Sequence, residues 1–278
     1  KIITILKNMK IIKSEKEILK YCKNLNIPTS FVPTMGSLHE GHIELLKTGR
    51  RYSNFLIASL FINPLQFNSP KDLSTYPKNY EDDIKIFKKQ GVDLLYMPKA
   101  KDILNSDLKI FDSGFSGNIM EGKYRPGHFD GVLTIVNKFF ELIKPNFAFF
   151  GMKDFQQLCL IYSKLSPLHK VEIIPVKTVR DSYGLALSSR NKLLDSHQKK
   201  IASNIYKGLN LVCKKLKENK NLDITKFLND FYFQSKLLDI EYILTEKISI
   251  FNEKNLLISD LFNGQDHTVI MVAARIGN

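Results

Sequence analysis

Between residues 27 and 180 the apolar and polar positions fall into segments whose period keeps switching. Residues 27–33 form a short extended run ending near a glycine, and 39–51 repeat apolar positions at helical spacing. Residues 55–62 are a continuous apolar run, the pattern of a strand buried on both faces. The spacing predicts a helix over 79–90, with Ile84 and Phe87 on one side and Gly91 as its stop, followed by a strand over 92–97. A helix over 131–143, a strand over 147–150, a helix over 154–165 and a β-branched strand over 171–179 complete the series. Such alternation predicts parallel strands joined by right-handed crossovers, an α/β, Rossmann-like doubly wound sheet. Ligands of such sheets sit at the carboxyl ends of the strands.

After Arg190 the pattern changes. Asp195 is placed to cap a long amphipathic helix reaching about residue 218, and a second helix is expected over 225–237. Strand-like runs follow at 240–245, 256–261 and 268–273. This organisation predicts a main domain over 1–180 and a smaller C-terminal α+β domain over 181–278.

Composition adds little beyond limits. With 44% hydrophobic and 25% charged residues, the 278-residue chain has an ordinary globular balance. No apolar run approaches the ~20 residues of a membrane span, and lysines interrupt the N-terminal apolar residues, unlike a signal peptide. Cys22, Cys159 and Cys213 are far apart and unpaired in pattern, which argues against a disulfide framework or zinc ribbon and for a reducing, cytoplasmic setting. The net charge of +13 is spread along the chain, with only a mild cluster over 199–220. Without an RNP signature or tryptophan, it does not indicate a nucleic-acid surface, although an RNA-binding protein is the rival from another class.

Candidate chemistry lies in the loops that follow the strands. The first is Pro33-Thr34-Met35-Gly36-Ser37-Leu38-His39-Glu40-Gly41-His42. Gly36 permits a tight turn, and the N–H groups of a helix start attract phosphate. His39 and His42, three apart, share a helix face and can donate to oxygens as charge develops at a phosphorus. Their spacing is not that of an HExxH zinc site. Gly151, Met152, Lys153 and Asp154 open the helix after the strand at 147–150. Lys153 suits a transferring phosphoryl group but alone reads as a solvated charge, and Asp154 alone reads as a helix cap. Leu187, Ser188, Ser189 and Arg190 would suit a pyrophosphate clamp or an ordinary N-cap region. Asn63 and Gln66 follow the second strand, with amides suited to hydroxyls or a carboxylate. The run from Gly117 to Lys123 matches a P-loop until Tyr124 replaces Ser/Thr, and no buried strand precedes it, so it is rejected.

Taken together and in this order, PTMGSLHEGH, FINPLQF, RPGHFDGV, GMKDFQQL and GLALSSRN resemble the pantoate–β-alanine ligase (pantothenate synthetase) family of HIGH-type nucleotidyltransferases. The resemblance runs from about Phe31 to Leu194 and thins beyond Asp195, apart from VAARIG near the end. It implies an ATP-dependent condensation of pantoate with β-alanine through a pantoyl-adenylate, releasing pyrophosphate and AMP. It also implies that Met35, Gly36, Ser37, Leu38, His39, Glu40, Gly41 and His42 line the ATP site. Gly151, Met152, Lys153, Asp154, Val179, Leu187, Ser188, Ser189 and Arg190 would complete that site. His42, His39 and Lys153 would be catalytic, with His42 the proton donor. Gln66, Gln157 and Asn63 would hold pantoate, and Gln66 also β-alanine. ATP would arrive with Mg²⁺, no cofactor would be tightly bound, and the enzyme would be a cytoplasmic homodimer with a mobile C-terminal lid. The nearest rival is an HxGH enzyme that transfers a nucleotidyl group and stops; Gln66 and the Gln156-Gln157 pair argue against it. Met152 and Tyr183 depart from the residues usual in the family at those positions.

Overall fold

The computed structural model describes residues 8–219, 221–234, 238–251, 258–265 and 267–276. The chain divides into two compact units, 1–177 and 178–278. The first carries six parallel strands in the order β1-β4-β3-β2-β5-β6. These are β1 (Lys10–Ile12), β2 (Thr29–Thr34), β3 (Phe55–Leu60), β4 (Leu94–Tyr96), β5 (Phe147–Gly151) and β6 (Glu172–Val176). The main helices between them are α1 (Glu15–Lys23), α2 (Glu40–Tyr52), α3 (Tyr80–Lys89), α4 (His128–Ile143) and α5 (Phe155–Leu160).

Alternation along the central strands builds two cores. Val32, Leu56, Ala58 and Phe149 face one side, where Leu46 of α2 and Phe87 of α3 close over them. The neighbouring Phe31 faces the other side, its ring 6.2 Å from Phe139 and 6.3 Å from Phe140 of α4. Tyr96 joins Phe139 there at 5.5 Å. Successive strand residues point to opposite faces, so a strand covered on both sides must be apolar throughout, and every residue of β3 is buried.

Several expectations need correction. β1 and α1 were outside the expected series, although Ser14 caps α1 by accepting from the Glu17 N–H. The helix expected over 154–165 is α-helical only to Leu160 and continues as a π-helix, Ile161–Leu165. The strand expected over 171–179 ends at Val176.

In the second unit, α6 (Ser196–Ala202) and α7 (Asn204–Glu218) replace one long helix. Ser203 sits at the break and its hydroxyl donates back to the Lys200 carbonyl at 2.6 Å, a bond that competes with the helical ladder. The start is as expected, with Asp195 and Gln198 forming a reciprocal capping box. α8 (Ile224–Phe233) follows, then β7 (Leu238–Lys247) paired antiparallel with β8 (Thr268–Ile276). The strand expected over 256–261 is not formed where it is described: Ile258–Phe262 is a 3₁₀ turn, while 256 and 257 lie outside the described residues. A short continuous apolar run carries no period of its own, so it fixes neither state. Gly277 of the VAARIG run, residues 235–237 of the expected helix, Lys220 of the basic cluster and the N-terminal residues 1–7 are likewise outside them. Val212, Leu228, Tyr232 and Leu238 form this unit's core.

Candidate active site

Strand order reverses at β2: β3 and β4 extend the sheet to one side, β5 and β6 to the other. The carboxyl ends of β2 and β5 therefore flank the crevice where doubly wound sheets bind ligands. The loops leaving these strands carry the histidines and Lys153.

The first loop is tied from beneath. Thr34 Oγ1 donates to the Ser59 carbonyl at 2.8 Å and accepts from the Gly36 N–H at 3.3 Å. Gly36 has φ +83° and Ser37 φ +50°, so the chain turns through the left-handed region. The Ser37 and Leu38 N–H groups both donate to the buried carboxylate of Asp83, at 2.8 Å each. His39 is the N-cap of α2; its Nδ1 accepts from the Gly41 N–H at 3.1 Å, and His42 Nδ1 accepts from the His39 N–H at 3.3 Å. The two rings lie 4.1 Å apart between centroids. A Cβ on Gly41 would sit 2.9 Å from His39 Cε1, so the glycine makes room for this arrangement.

This geometry revises the expectation that backbone N–H groups of the helix start take the phosphate. The amides of Gly36, Ser37, Leu38, His39, Gly41 and His42 all have acceptors within the chain. What the loop presents instead are imidazoles. A neutral ring whose Nδ1 accepts carries its proton on Nε2, so both Nε2 atoms are donors. Glu40 is exposed and Met35 half-buried at the same strand end.

The β5 loop brings Gly151, Met152, Lys153 and Asp154 to the other side of the crevice. The Met152 N–H donates to the Val176 carbonyl at 2.9 Å, holding the loop to the end of β6. Lys153 Nζ donates to Asp154 Oδ1 at 2.8 Å. Desolvation by the surrounding chain opposes ionisation of Asp154. The Lys153 ammonium, with His128 and Arg125 behind it, outweighs that effect and holds the carboxyl below the usual carboxylate range. Gln156 is structural: its buried amide bonds Ser116, Ile119 and Glu121 backbone groups at 2.9 Å each. Gln157, next to it, is half-buried, and its amide has no hydrogen-bond partner among the described residues.

After β3, Asn63 caps a 3₁₀ turn, Pro64–Gln66. Its side chain is 3% exposed and accepts from the Leu65 N–H at 3.1 Å while donating to Gly131 O at 2.9 Å and Gln66 Oε1 at 3.1 Å. With its oxygen held by Asn63, the Gln66 amide has its NH₂ left to donate. Asn63 is thus placed to orient Gln66 rather than to meet a substrate itself. Sequence reasoning missed two supports of this turn. Buried His128, at the start of α4, holds the Gln66 carbonyl through Nδ1 at 2.7 Å, and Arg125 reaches the same oxygen at 3.4 Å. Both lie in RPGHFDGV, and a histidine opening an apolar helix was the available signal.

Val179, Leu187, Ser188, Ser189 and Arg190 belong to the second unit. There the Leu187 N–H donates to the Val179 carbonyl at 3.0 Å, closing a narrow hairpin bridged at Arg180 and Ala186. The Arg180 guanidinium stacks 3.6 Å from the Tyr206 ring centre, where burial lowers its pKa below the usual arginine value. Ser188 Oγ accepts from the Arg190 N–H at 3.3 Å and Ser189 is buried, so Ser188 does cap the turn, Ser189–Leu193. Tyr183 is 57% exposed at the hairpin tip. The P-loop-like run from Gly117 to Lys123 follows no strand and ends in a short helix, Glu121–Tyr124.

Comparison with known proteins agrees with this geometry. Residues 5–278 match the profile of the family described as pantoate-beta-alanine ligase. The pantothenate synthetase of Cytophaga hutchinsonii is 41% identical over 226 residues, covering 80% of each chain. The crystal structure of pantothenate synthetase from Thermus thermophilus superposes with a TM-score of 0.82 at 30% identity, over 96% of this chain and 95% of that one. The Francisella tularensis pantoate-beta-alanine ligase, complexed with beta-gamma ATP and beta-alanine, is 38% identical with a TM-score of 0.73, over 85% of this chain and 89% of that one. This chain belongs to the pantoate–β-alanine ligase family.

Proposed function

We infer that the crevice between the β2 and β5 loops runs the family's condensation in two steps. A pantoate carboxylate oxygen attacks the α-phosphorus of ATP, the bond to the β-phosphate oxygen breaks, and pyrophosphate leaves. The amine of β-alanine then attacks the acyl carbon of the adenylate, loses a proton, and AMP departs. The observation that carries this reading is the pair of adjacent imidazoles whose Nδ1 atoms are held by backbone N–H groups at the switch point of the sheet. Donors fixed before the reaction stabilise charge that develops at phosphorus without reorganising. Lys153, now on Asp154, exchanges that partner for a phosphate oxygen. Gln66 and Gln157 supply amides for pantoate's hydroxyls and carboxylate, and Gln66 for β-alanine. Val179, Leu187, Ser188, Ser189 and Arg190 are assigned to ATP binding as well. Holding the adenylate beside the amine makes amide formation effectively unimolecular.

Among the described residues, no group of three or more His, Cys, Asp or Glu side chains could hold a metal ion. Mg²⁺ arriving with ATP would take most of its oxygens from phosphates and water and would supply charge neutralisation there. The same proposal includes a cytoplasmic homodimer with ATP, pantoate and β-alanine as its partners, and neither nucleic acid nor a membrane. Among the described residues, no helix is long and apolar enough to cross a membrane.

The test is isotope exchange. Labelled pyrophosphate should enter ATP when pantoate is present and β-alanine absent, because the phosphate-facing side chains are separate from the glutamines. Exchange that requires β-alanine would overturn the two-step order. Exchange without pantoate would overturn the assignment of the acid.

A further inference from the structure

We propose that Asp83 is a positioning residue for the nucleotidyl-transfer step, its carboxylate fixing the turn that aims His39 and His42. The proposal rests on the reading that these imidazoles act on the phosphates. Asp83 lies in the first turn of α3 and is 2% exposed, whereas its neighbours Glu81 and Asp82 face solvent. Its own helix does not need it as a cap, because Asn79 serves as N-cap by accepting from the Asp82 N–H. Instead, Asp83 Oδ2 accepts from Ser37 and Oδ1 from Leu38, two short charge-assisted bonds across more than forty residues of chain.

The turn so held is one that the backbone resists. Ser37 at φ +50° occupies a region that side-chain-bearing residues seldom enter, and such conformations persist only where surrounding structure imposes them. Contact at this point is close: a Cβ on Gly36 would lie 2.8 Å from Asp83 Oδ2 and 2.6 Å from Leu60 Cδ1. Leu38, buried in the core, leads directly to His39, whose N–H engages His42 Nδ1. A shift of the turn therefore moves both rings together.

The test is Asp83→Asn, which keeps the shape but sets an NH₂ group against one of the two N–H donors. Losing hydrogen bonds to a charged acceptor should lower the pyrophosphate-exchange kcat about tenfold to a hundredfold. KM for β-alanine should stay unchanged, and the His39 and His42 Cε1–H resonances of the ligand-free enzyme should move. A merely structural Asp83 would lower Tm but leave kcat and those resonances where they were, and that result overturns the proposal. If Asp83→Asn does not fold, Gly36→Ala presses a methyl against the same carboxylate, with the same expected losses and the same refuting outcome. The resonances report the tie without reference to catalysis. Full turnover in His42→Ala would instead refute the role given to that imidazole.

Discussion

Gly131→Ala isolates the contact between α4 and the turn that carries Gln66. A Cβ at this position would overlap the Leu65 carbonyl oxygen and lie 2.5 Å from the Leu65 carbonyl carbon and 2.9 Å from the Gln66 nitrogen. Ordinary carbon–carbon contact is about 3.5 Å, so the turn must retreat by about 1 Å. Overpacking of this kind costs about 1–3 kcal/mol. The better helix propensity of alanine returns roughly 0.5–1 kcal/mol. A net loss of about 1–2 kcal/mol should lower Tm by several degrees, at roughly 2–4 °C per kcal/mol for a domain of this size. The kinetic effect should be larger. Retreat of the turn carries Gln66 away from Asn63 and from His128, and a 1 Å misplacement can cost about 10²-fold in rate. The assay pairs thermal unfolding with steady-state kinetics in which pantoate and ATP are varied separately. We expect kcat/KM for pantoate to fall far more than that for ATP. Gly151→Ala is the control for added volume, since its nearest atom would be Lys153 N at 4.0 Å, and its Tm should not change. Wild-type Tm together with wild-type pantoate kinetics in Gly131→Ala would refute the reasoning.

Lys153→Ala and His42→Ala should each lower turnover by about 10²–10³, the loss typical of one preorganised donor. Lys153→Ala removes the main influence that depresses the Asp154 pKa, but solvent screens this exposed pair, so Tm should fall only slightly; near-normal turnover in the folded protein would remove the residue from the mechanism. Gln66→Ala and Gln157→Ala should raise KM for pantoate more than for ATP, and an effect confined to ATP would place those amides in another pocket. The depressed pKa of Asp154 gives a stability contribution present above the unfolded carboxylate value and lost as pH falls through the lower folded value. Urea unfolding should therefore show wild type ahead of Asp154→Asn at about pH 7, with the lead shrinking toward about pH 3; a lead that grows on acidification would contradict the assignment.

The period of the apolar residues, read locally, placed the central strands and helices of the first unit within a few residues, and continuous burial of β3 followed from its unbroken apolar run. Local chemistry also marked where α6 begins, because Asp195 and its partner Gln198 lie three residues apart. The resemblance of the motifs then supplied a reaction. The break at Ser203 and the 3₁₀ turn at Ile258–Phe262 escaped, since each depends on hydrogen bonds that the apolar pattern does not encode.

The site was legible as a set of loops but not as a geometry. The sequence held His39 and His42 on one helix face, yet it could not show that the Ser37 and Leu38 amides are already taken, because their acceptor is Asp83, 46 residues from Ser37. Likewise, Asn63 read as a substrate contact until Gly131, 68 residues on, proved to be its partner. The hold of His128 on Gln66 spans 62 residues. Helix and strand periods are set by interactions over a few positions, so the chain declares them in its own order. Parallel crossovers then carry the carboxyl ends of distant strands to one edge of the sheet. Which donor meets which acceptor there is decided by the packing of α3 and α4 on its two faces, and only the folded chain contains that information.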